Sequence, residues 1–170
     1  MKKNHCIERY LTFFLIAILF SGALFSCKEG DDDRIKPKTI TDVILENDQF
    51  SILRDIMLYT GMSDALRTDE LTVFAPNNNS FGKAGIFSSS AITSMREDSA
   101  RLFLQNHILP KQRLGYSQLT PGTQVSINKN TLIITRIDST LSVNKSDIII
   151  RNVNAANGVI HVIDSVLIRY

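Results

Sequence analysis

The most informative segment of this 170-residue chain reads Asn157-Gly158-Val159-Ile160-His161-Val162-Ile163-Asp164-Ser165-Val166-Leu167. An Asn-Gly pair is typical of the turn of a β-hairpin, because both residues tolerate a positive φ. The apolar residues after the pair fall on both faces of a strand, with Val159 and Ile163 on one face and Ile160, Val162 and Val166 on the other. A strand that is apolar on both faces lies inside a fold. We therefore predict a buried strand over Val159–Ile168, entered through a tight turn.

Three segments before this turn are rich in Val, Ile and Thr, which is typical of β-strands. They span Thr131–Ile137, Leu141–Asn144 and Asp147–Val153. Much earlier, Leu71–Ala75 forms a short apolar run that is closed by Pro76. Because proline ends a strand and begins a loop, we predict one early strand and a group of antiparallel strands near the C-terminal end.

Apolar residues recur at helical spacing between these strands and before them. Three helices are predicted. The first follows a Thr41 cap and carries Val43, Ile44 and Leu45. The second ends at Gly61 and carries Phe50, Leu53, Ile56 and Met57, and the third ends before Pro110 and carries Ala100, Phe103, Leu104, His107 and Ile108. Residues 82–98 are rich in Ser, and we predict loops and short helical turns there. Helices first and antiparallel strands last indicate an α+β domain.

Two segments of the chain resemble the signatures of fasciclin-like domains. The first reads Leu71-Thr72-Val73-Phe74-Ala75-Pro76-Asn77-Asn78-Asn79-Ser80-Phe81, and the second is the segment from Asn157 to Leu167. Between them, Asn106-His107-Ile108 falls where the family carries a Tyr-His pair. The openings Thr39-Ile40-Thr41-Asp42-Val43 and Phe50–Leu53 are similar to the family's first helices. The resemblance covers residues 39–170.

The resemblance implies a fasciclin-like β-wedge or sandwich with N-terminal and flanking helices, and a role in adhesion or extracellular binding without catalysis. It gives structural roles to the signature residues Thr72, Val73, Phe74, Ala75, Pro76, Asn78, Phe81, Asn157, Gly158, Val159, Ile160, His161, Val162, Ile163 and Asp164. The candidate interaction residues are Asn106, His107 and Ile108. Asn106 departs from the family's Tyr, and Asn77–Asn79 lacks the acidic residue often found after the proline.

Two histidines of the predicted domain each allow two interpretations. His107 shares an apolar face with Phe103 and Leu104, which favours a core histidine with a buried hydrogen-bond partner over a ligand contact. His161 lies among apolar residues on a two-sided strand, which favours a structural role. Asp164 falls on the opposite face of that strand and therefore cannot simply orient His161.

The patterns that common enzymes and nucleic-acid-binding proteins need are missing from the sequence. Zinc requires three or four ligands, but the predicted domain has two histidines and no close His/Glu spacing. Neither a Gly-x-Ser-x-Gly turn nor a Gly-rich phosphate loop is present. Residues 27–170 hold 16 Lys and Arg against 16 Asp and Glu, so nucleic acid would meet no basic footprint. We predict no enzymatic activity, no cofactor, no metal and no nucleic-acid partner.

The first 26 residues are typical of an export signal. Lys2 and Lys3 precede the uncharged stretch Tyr10–Phe25, which is shorter than the roughly 20 apolar residues of a membrane-spanning helix. Its end, Leu24-Phe25-Ser26-Cys27, resembles the lipobox of bacterial lipoproteins, in which the cysteine receives lipid and the signal is cut before it. The alternative is an ordinary secretory signal with an incidental cysteine. We predict a signal peptide over 1–26 and a lipid on Cys27.

A charged tether, residues 27–38, begins at the predicted lipid site. Lys28–Lys38 contains Asp31–Asp33 and a single apolar residue, so it cannot bury enough surface to fold. Placed after a lipid-bearing cysteine, it resembles the acidic export signal of Bacteroidetes lipoproteins. The alternative is a plain spacer. We predict a lipid anchor in the outer membrane with the domain facing the cell surface.

These observations predict a surface lipoprotein whose fasciclin-like domain, residues 39–170, binds an extracellular protein or glycan. The alternative is an accessory glycan-capture component of an outer-membrane nutrient-uptake system. Such sites often stack sugars on exposed aromatic side chains. Because the chain has no Trp, Tyr59 and Tyr116 are the candidates for that stacking.

Overall fold

The structure is a computed structural model that describes residues 36–68 and 70–167. The predicted signal peptide, Cys27 and most of the tether lie outside the described residues. The described residues from Pro37 onward group as one compact unit by their contacts. Among the described residues, no helix combines the length and the apolar character needed to cross a bilayer.

The described residues contain five α-helices and two short 3₁₀ helices, all in the first part of the fold. The α-helices are α1 (Ile40–Glu46), α2 (Ser51–Tyr59), α3 (Asn78–Lys83), α4 (Ser90–Thr93) and α5 (Glu97–Gln105), and the 3₁₀ helices are Asp48–Phe50 and Ala65–Arg67. The short helices α3 and α4 and the turns around them agree with the prediction for residues 82–98. The predicted apolar face of α2 is confirmed, because Phe50, Leu53, Ile56 and Met57 are all buried.

Two helix ends differ from the sequence prediction. The cap of α1 is Thr39 and not Thr41: Thr39 and Asp42 form a reciprocal capping box, while Thr41 is buried and donates its hydroxyl to the Ser63 carbonyl. Helix α5 ends at Gln105, so the prediction that it continues to Ile108 is wrong. Ile108 instead pairs with Val73 in a strand, and backbone pairing to the sheet overrides the helical spacing there.

Seven strands form one sheet in the order β2-β1-β7-β6-β5-β4-β3. They are β1 (Leu71–Pro76), β2 (Ile108–Leu109), β3 (Gly122–Val125), β4 (Thr131–Ile137), β5 (Thr140–Val143), β6 (Ser146–Ala155) and β7 (Gly158–Ile163). The pairing of β1 with β7 is parallel and every other pairing is antiparallel. β4 has the predicted bounds, β7 ends five residues before the predicted Ile168, and the short strands β2 and β3 were not predicted.

The predicted hairpin between β6 and β7 is confirmed, but the reason for its glycine is different. Neither Asn157 nor Gly158 has a positive φ. Gly158 pairs with Leu71 of β1, and a Cβ on Gly158 would lie 2.2 Å from the Leu71 carbonyl oxygen and 2.8 Å from the Ile40 Cδ1. The position therefore requires glycine because β1 and α1 approach the backbone closely, and not because of turn geometry.

The two faces of the central strands pack into two different cores. Val73, Ala75, Ile160 and Val162 belong to the core that faces the helices. Phe74 and Ile163 belong to a second core, which the strands β4, β5 and β6 close together with Leu119 and other residues of the loop before β3. Burial of β7 on both faces confirms the prediction of an interior strand and accounts for its unbroken apolar sequence.

Candidate functional site

Asn106 and His107, which the sequence marked as candidate interaction residues, hold the backbone after β7. The Asn106 Nδ2 donates to the Leu167 carbonyl at 2.6 Å, and the Leu167 amide donates to the His107 Nε2 at 2.9 Å. Asn106 caps the C-terminal end of α5. The two side chains therefore bind both polar groups of one peptide residue and fix the C-terminal segment against α5.

The hydrogen bonds of His107 define its protonation. Its Nδ1 lies 2.9 Å from the Phe103 carbonyl, an acceptor, so Nδ1 carries the proton and Nε2 accepts from Leu167. The ring lies 5.0 Å from the Phe103 ring and is 1% exposed. Burial lowers the pKa of His107 from 6.5 to about 4, against a smaller opposing effect of the Phe103 carbonyl. The imidazole is therefore neutral at physiological pH.

The three residues of this trio are buried in the fold. Asn106 is 5% exposed, His107 1% and Ile108 0%, and the polar atoms of the first two are engaged within the fold. These contacts agree with the interpretation of His107 as a core histidine. The candidate interaction role of the trio stays a prediction, and a partner would have to displace internal hydrogen bonds to reach Asn106 and His107.

Residues of the first signature hold loops and helices around β1. The Thr72 hydroxyl donates to the Gln112 carbonyl and accepts from the Leu114 amide, which fixes the loop after β2. Asn78 joins α3 to the start of α2, because its Oδ1 accepts from the Ile52 amide. Phe81 is 0% exposed and belongs to the helix-side core. These contacts are structural, as the resemblance implied.

Asn157 of the second signature connects three separate segments. Its Oδ1 accepts from the Ile40 amide at 2.9 Å, and its Nδ2 donates to the carbonyls of Leu66 and Thr68, both at 2.8 Å. The residue is 6% exposed. The side chain therefore substitutes for backbone partners at the start of α1 and at the end of the second 3₁₀ helix.

His161 connects the loop after β2 to strand β6. Its Nε2 lies 2.9 Å from the Leu114 carbonyl and its Nδ1 accepts from the Asn152 amide at 3.3 Å, so the proton is on Nε2. Burial lowers the pKa of His161, with the Leu114 carbonyl acting in the opposite direction. Asp164 bonds elsewhere, to Lys83 and to the Asp147 amide. These bonds agree with the structural role expected for His161.

An open groove is bordered by Asn152, whose backbone amide donates to His161, and sequence reasoning did not find it. It has a volume of about 410 Å³ and is lined by Arg113, Gly115, Gln118, Asn152, Asn154 and Val159. A register shift in the pairing of β6 with β7 falls between Ile150 and Val153, and Asn152 has a φ of 55°. Such a bulge redirects the side chains of a strand. No hydropathy pattern predicts this bulge, and the only signal in the sequence is the polar run Arg151-Asn152 inside an apolar strand.

The two tyrosines proposed for sugar stacking have different environments. Tyr116 is 9% exposed, its hydroxyl donates to the Ser139 carbonyl and accepts from the Leu141 amide, and the Arg151 guanidinium lies 3.9 Å from its ring centre. Stacking on Tyr116 is therefore contradicted, because its ring is already covered. Tyr59 is 40% exposed and donates to the Met95 carbonyl.

The described residues contain no group of three or more His, Cys, Asp or Glu side chains that could hold a metal ion. Each of the two described histidines has both ring nitrogens hydrogen-bonded inside the fold. The described residues therefore offer surfaces for contact with a partner, among them the groove at Arg113.

Comparison with known proteins bears on this architecture. The family model of the fasciclin domain matches residues 48–169. Protein sll1483 of Synechocystis sp. is 32% identical over 133 residues, which cover 76% of this chain and 73% of that protein. The immunogenic protein MPB70 of Mycobacterium bovis is 29% identical over 106 residues, covering 61% of this chain and 52% of MPB70. None of these names is that of an enzyme.

Solved structures share the fold. Among them is a FAS1 domain pair from the insect cell adhesion molecule fasciclin I, with a TM-score of 0.64 and 14% identity. The similarity covers 78% of this chain and 51% of that one, so this chain spans about half the length of the pair. The mixed seven-stranded sheet with its flanking helices confirms the predicted α+β, fasciclin-like fold class. With the family model matching most of its length, the chain belongs to the fasciclin domain family.

Proposed function

We propose that this protein is a lipid-anchored surface module that binds another macromolecule and contributes to adhesion. The observation that carries the proposal is membership of the fasciclin domain family, which includes a cell adhesion molecule of the same fold. Binding by such a module needs complementary surfaces and no bond making, with most of the affinity coming from a few anchor residues. Display of many copies on a membrane strengthens weak single contacts.

The internal bonding of the domain supports binding in preference to catalysis. A general base must have a ring nitrogen free to take a proton from a substrate. His107 and His161 each use both nitrogens for backbone groups, and neither is more than 1% exposed. These histidines act as cross-links of a rigid scaffold, which suits a surface that binds without changing shape.

The proposed anchor rests on Leu24-Phe25-Ser26-Cys27 and on the acidic residues that follow. Two or more acyl chains hold a protein stably to a membrane, whereas one chain holds it only marginally. We expect Cys27→Ala to move the protein from the membrane fraction to the soluble fraction and to abolish incorporation of labelled fatty acid. Cys6→Ala is the matched control, because that cysteine lies in the segment proposed to be removed. Labelled lipid on the Cys27→Ala protein would refute the anchor.

Surface display is tested separately from anchoring. We expect replacement of Asp31–Asp33 by Ala to leave the protein in membranes but to protect it from protease added to whole cells. Equal digestion of variant and parent by the protease would show that the acidic segment is a plain spacer.

The adhesive role is tested by deleting the gene and measuring attachment of cells to one another and to matrix-coated surfaces. We expect attachment to fall, and to return when the parent gene but not the Cys27→Ala gene is supplied. Proximity labelling on intact cells then identifies the neighbours of the domain. Unchanged attachment in the deletion strain, with no labelled extracellular partner, would count against the proposal.

A further inference from the structure

We propose that the groove lined by Arg113, Gly115, Gln118, Asn152, Asn154 and Val159 binds acidic polysaccharide. The binding surface includes Arg136 and Arg151, whose guanidinium groups lie over the ring of Tyr116, the residue that follows Gly115 in the chain. This inference deepens the adhesive role proposed above, on which it rests for its biological setting. It concerns a surface that neither signature segment of the sequence marks as functional.

The polar side chains of the groove offer donors and few acceptors. The oxygens of three amide side chains are already used: Gln118 accepts from the Gly115 amide at 2.8 Å, Asn152 from the Tyr116 amide at 2.8 Å, and Asn154 from Arg113 at 3.3 Å. Within the described part of the chain, none of these amides donates its NH₂ hydrogens. Such a groove suits a ligand rich in acceptor oxygens.

The positive charge around the groove is uncompensated. Arg113, Arg136 and Arg151 are exposed, and among the described residues none of them forms a salt bridge. Residues 111–167 carry six Lys and Arg against three Asp and no Glu, so this half of the domain is cationic. Guanidinium groups bind carboxylate and sulfate oxygens through charge-assisted, often bidentate hydrogen bonds.

Nearby carboxylates do not neutralise these guanidinium groups. Asp164 pairs with Lys83, and Asp147 accepts from the Ser142 hydroxyl. Asp138, although two residues from Arg136, lies beyond salt-bridge distance of it. An anionic ligand would therefore meet no built-in competitor for the arginines.

The framework of the groove is fixed before any ligand arrives. His161 bonds the Leu114 carbonyl on one wall and the Asn152 amide on the other, which holds the two walls at a set distance. The Arg151 guanidinium lies 3.9 Å from the centre of the Tyr116 ring, within range of a cation–π contact. Pre-organised side chains lose less entropy on binding than free ones do.

A carbohydrate fits this groove better than an acidic peptide. Extended peptides commonly bind by adding a strand to a free sheet edge or by placing apolar side chains in pockets, and acidic motifs also bind arginine clusters, so poly-L-glutamate is included in the test below. The strand β6 lies inside the sheet between β5 and β7, so it offers no free edge. The groove side chains are amides and guanidiniums, which match the hydroxyl, carboxylate and sulfate groups of an acidic sugar chain.

The test measures binding of the full chain, purified in detergent, to four polymers: alginate (carboxylated), heparin (sulfated), neutral dextran and poly-L-glutamate. We expect alginate or heparin to bind, dextran to give no signal, and binding to weaken as salt screens the charges. The variant R113Q/R151Q should lower the affinity about tenfold, as expected for loss of two charge-assisted contacts. R96Q is the matched control, because Arg96 is an exposed arginine outside the groove.

A second variant guards against misfolding of the first. Asn154→Asp keeps the shape of an exposed side chain, removes a donor and adds a negative charge, so it should weaken binding with an unchanged melting temperature. The inference is overturned if neither acidic polysaccharide binds, if R96Q weakens binding as much as the groove variants do, or if dextran or poly-L-glutamate binds as tightly.

Cell attachment, scored in parallel, separates this inference from the adhesive role. Polysaccharide binding that depends on the groove, in cells whose attachment does not change on gene deletion, would support the groove and count against adhesion. Attachment that needs the gene but persists undiminished in R113Q/R151Q cells would overturn the groove as the adhesive surface and leave the adhesive role in place.

Discussion

Acid should destabilise this domain through the buried His107. The imidazole is neutral in the fold because burial lowers its pKa to about 4, whereas the ordinary value is 6.5. Between these two pH values the unfolded chain binds a proton that the folded chain rejects. Protonated Nε2 could no longer accept from the Leu167 amide. The free energy of unfolding must therefore fall as the pH falls from 6.5 toward 4, and it should be flat above about pH 7.

The size of the effect follows from the pKa difference. Each pH unit within that window changes the free energy of unfolding by about 1.4 kcal/mol per proton. At pH 5 the loss is about 2 kcal/mol, and near pH 4 it approaches about 3 kcal/mol, a large part of the ~5–15 kcal/mol that stabilises an ordinary domain. The pKa of Asp42 is lowered by its bonds to Thr39, so the stabilisation from this carboxylate is lost only as the pH falls below its ordinary pKa of 3.8.

The assay is urea unfolding at constant ionic strength from pH 4.5 to 8, followed by circular dichroism. His107→Gln keeps a donor and an acceptor but cannot titrate, so its stability should depend less on pH than that of the parent. The pKa of His161 is also lowered by burial, so some slope of the same sign should remain in the variant. Identical slopes for parent and His107→Gln between pH 6.5 and 5 would refute the reasoning.

Four further predictions concern signature residues and His107. Gly158→Ala should lower the free energy of unfolding by about 3 kcal/mol, because its Cβ would overlap the Leu71 carbonyl; Gly82→Ala, which meets only ordinary contacts, should be nearly neutral in the same urea titration. Asn157→Ala should cost about 3 kcal/mol by leaving buried backbone groups at Ile40 and Leu66 without partners, and a loss below about 0.5 kcal/mol, the usual size of a surface effect, would contradict this. His161→Ala should cost about 1–3 kcal/mol for the same physical reason, and an unchanged melting temperature would exclude the proposed cross-link. Long-range ¹⁵N NMR should show opposite tautomers, with the proton on Nδ1 of His107 and on Nε2 of His161.

The elements that sequence reasoning found are those whose apolar pattern is decided locally. Strand β7, which is apolar on both faces, and the amphipathic face of α2 are examples, because the side chains of each element alone indicate which of its faces are buried. The same reasoning did not predict strand β2. Ile108 continues the helical spacing of α5, and only the distant strand β1 turns it into a sheet residue.

Sequence reasoning was less successful for the candidate site, and the cause is geometric. The Asn106-His107 pair could be located by resemblance, but whether it faces a partner or the core depends on where Leu167 lies. The groove at Arg113 combines a loop with a bulge in β6, whose residues are far apart in the chain. No periodicity connects those positions, so only the assembled fold reveals that their donors converge.

The central position of β7 also has a consequence for how the chain acquires its structure. β7 lies between β1 and β6 and follows every other described strand in the chain, so residues 71 and 158 must meet before either core can close. Contacts between residues so distant in sequence form slowly. A nascent chain in which β7 has not yet been made would keep both apolar faces open and could not reach the native state. With the export signal proposed above, the domain would stay unfolded and able to pass through a translocation channel until β7 has been made.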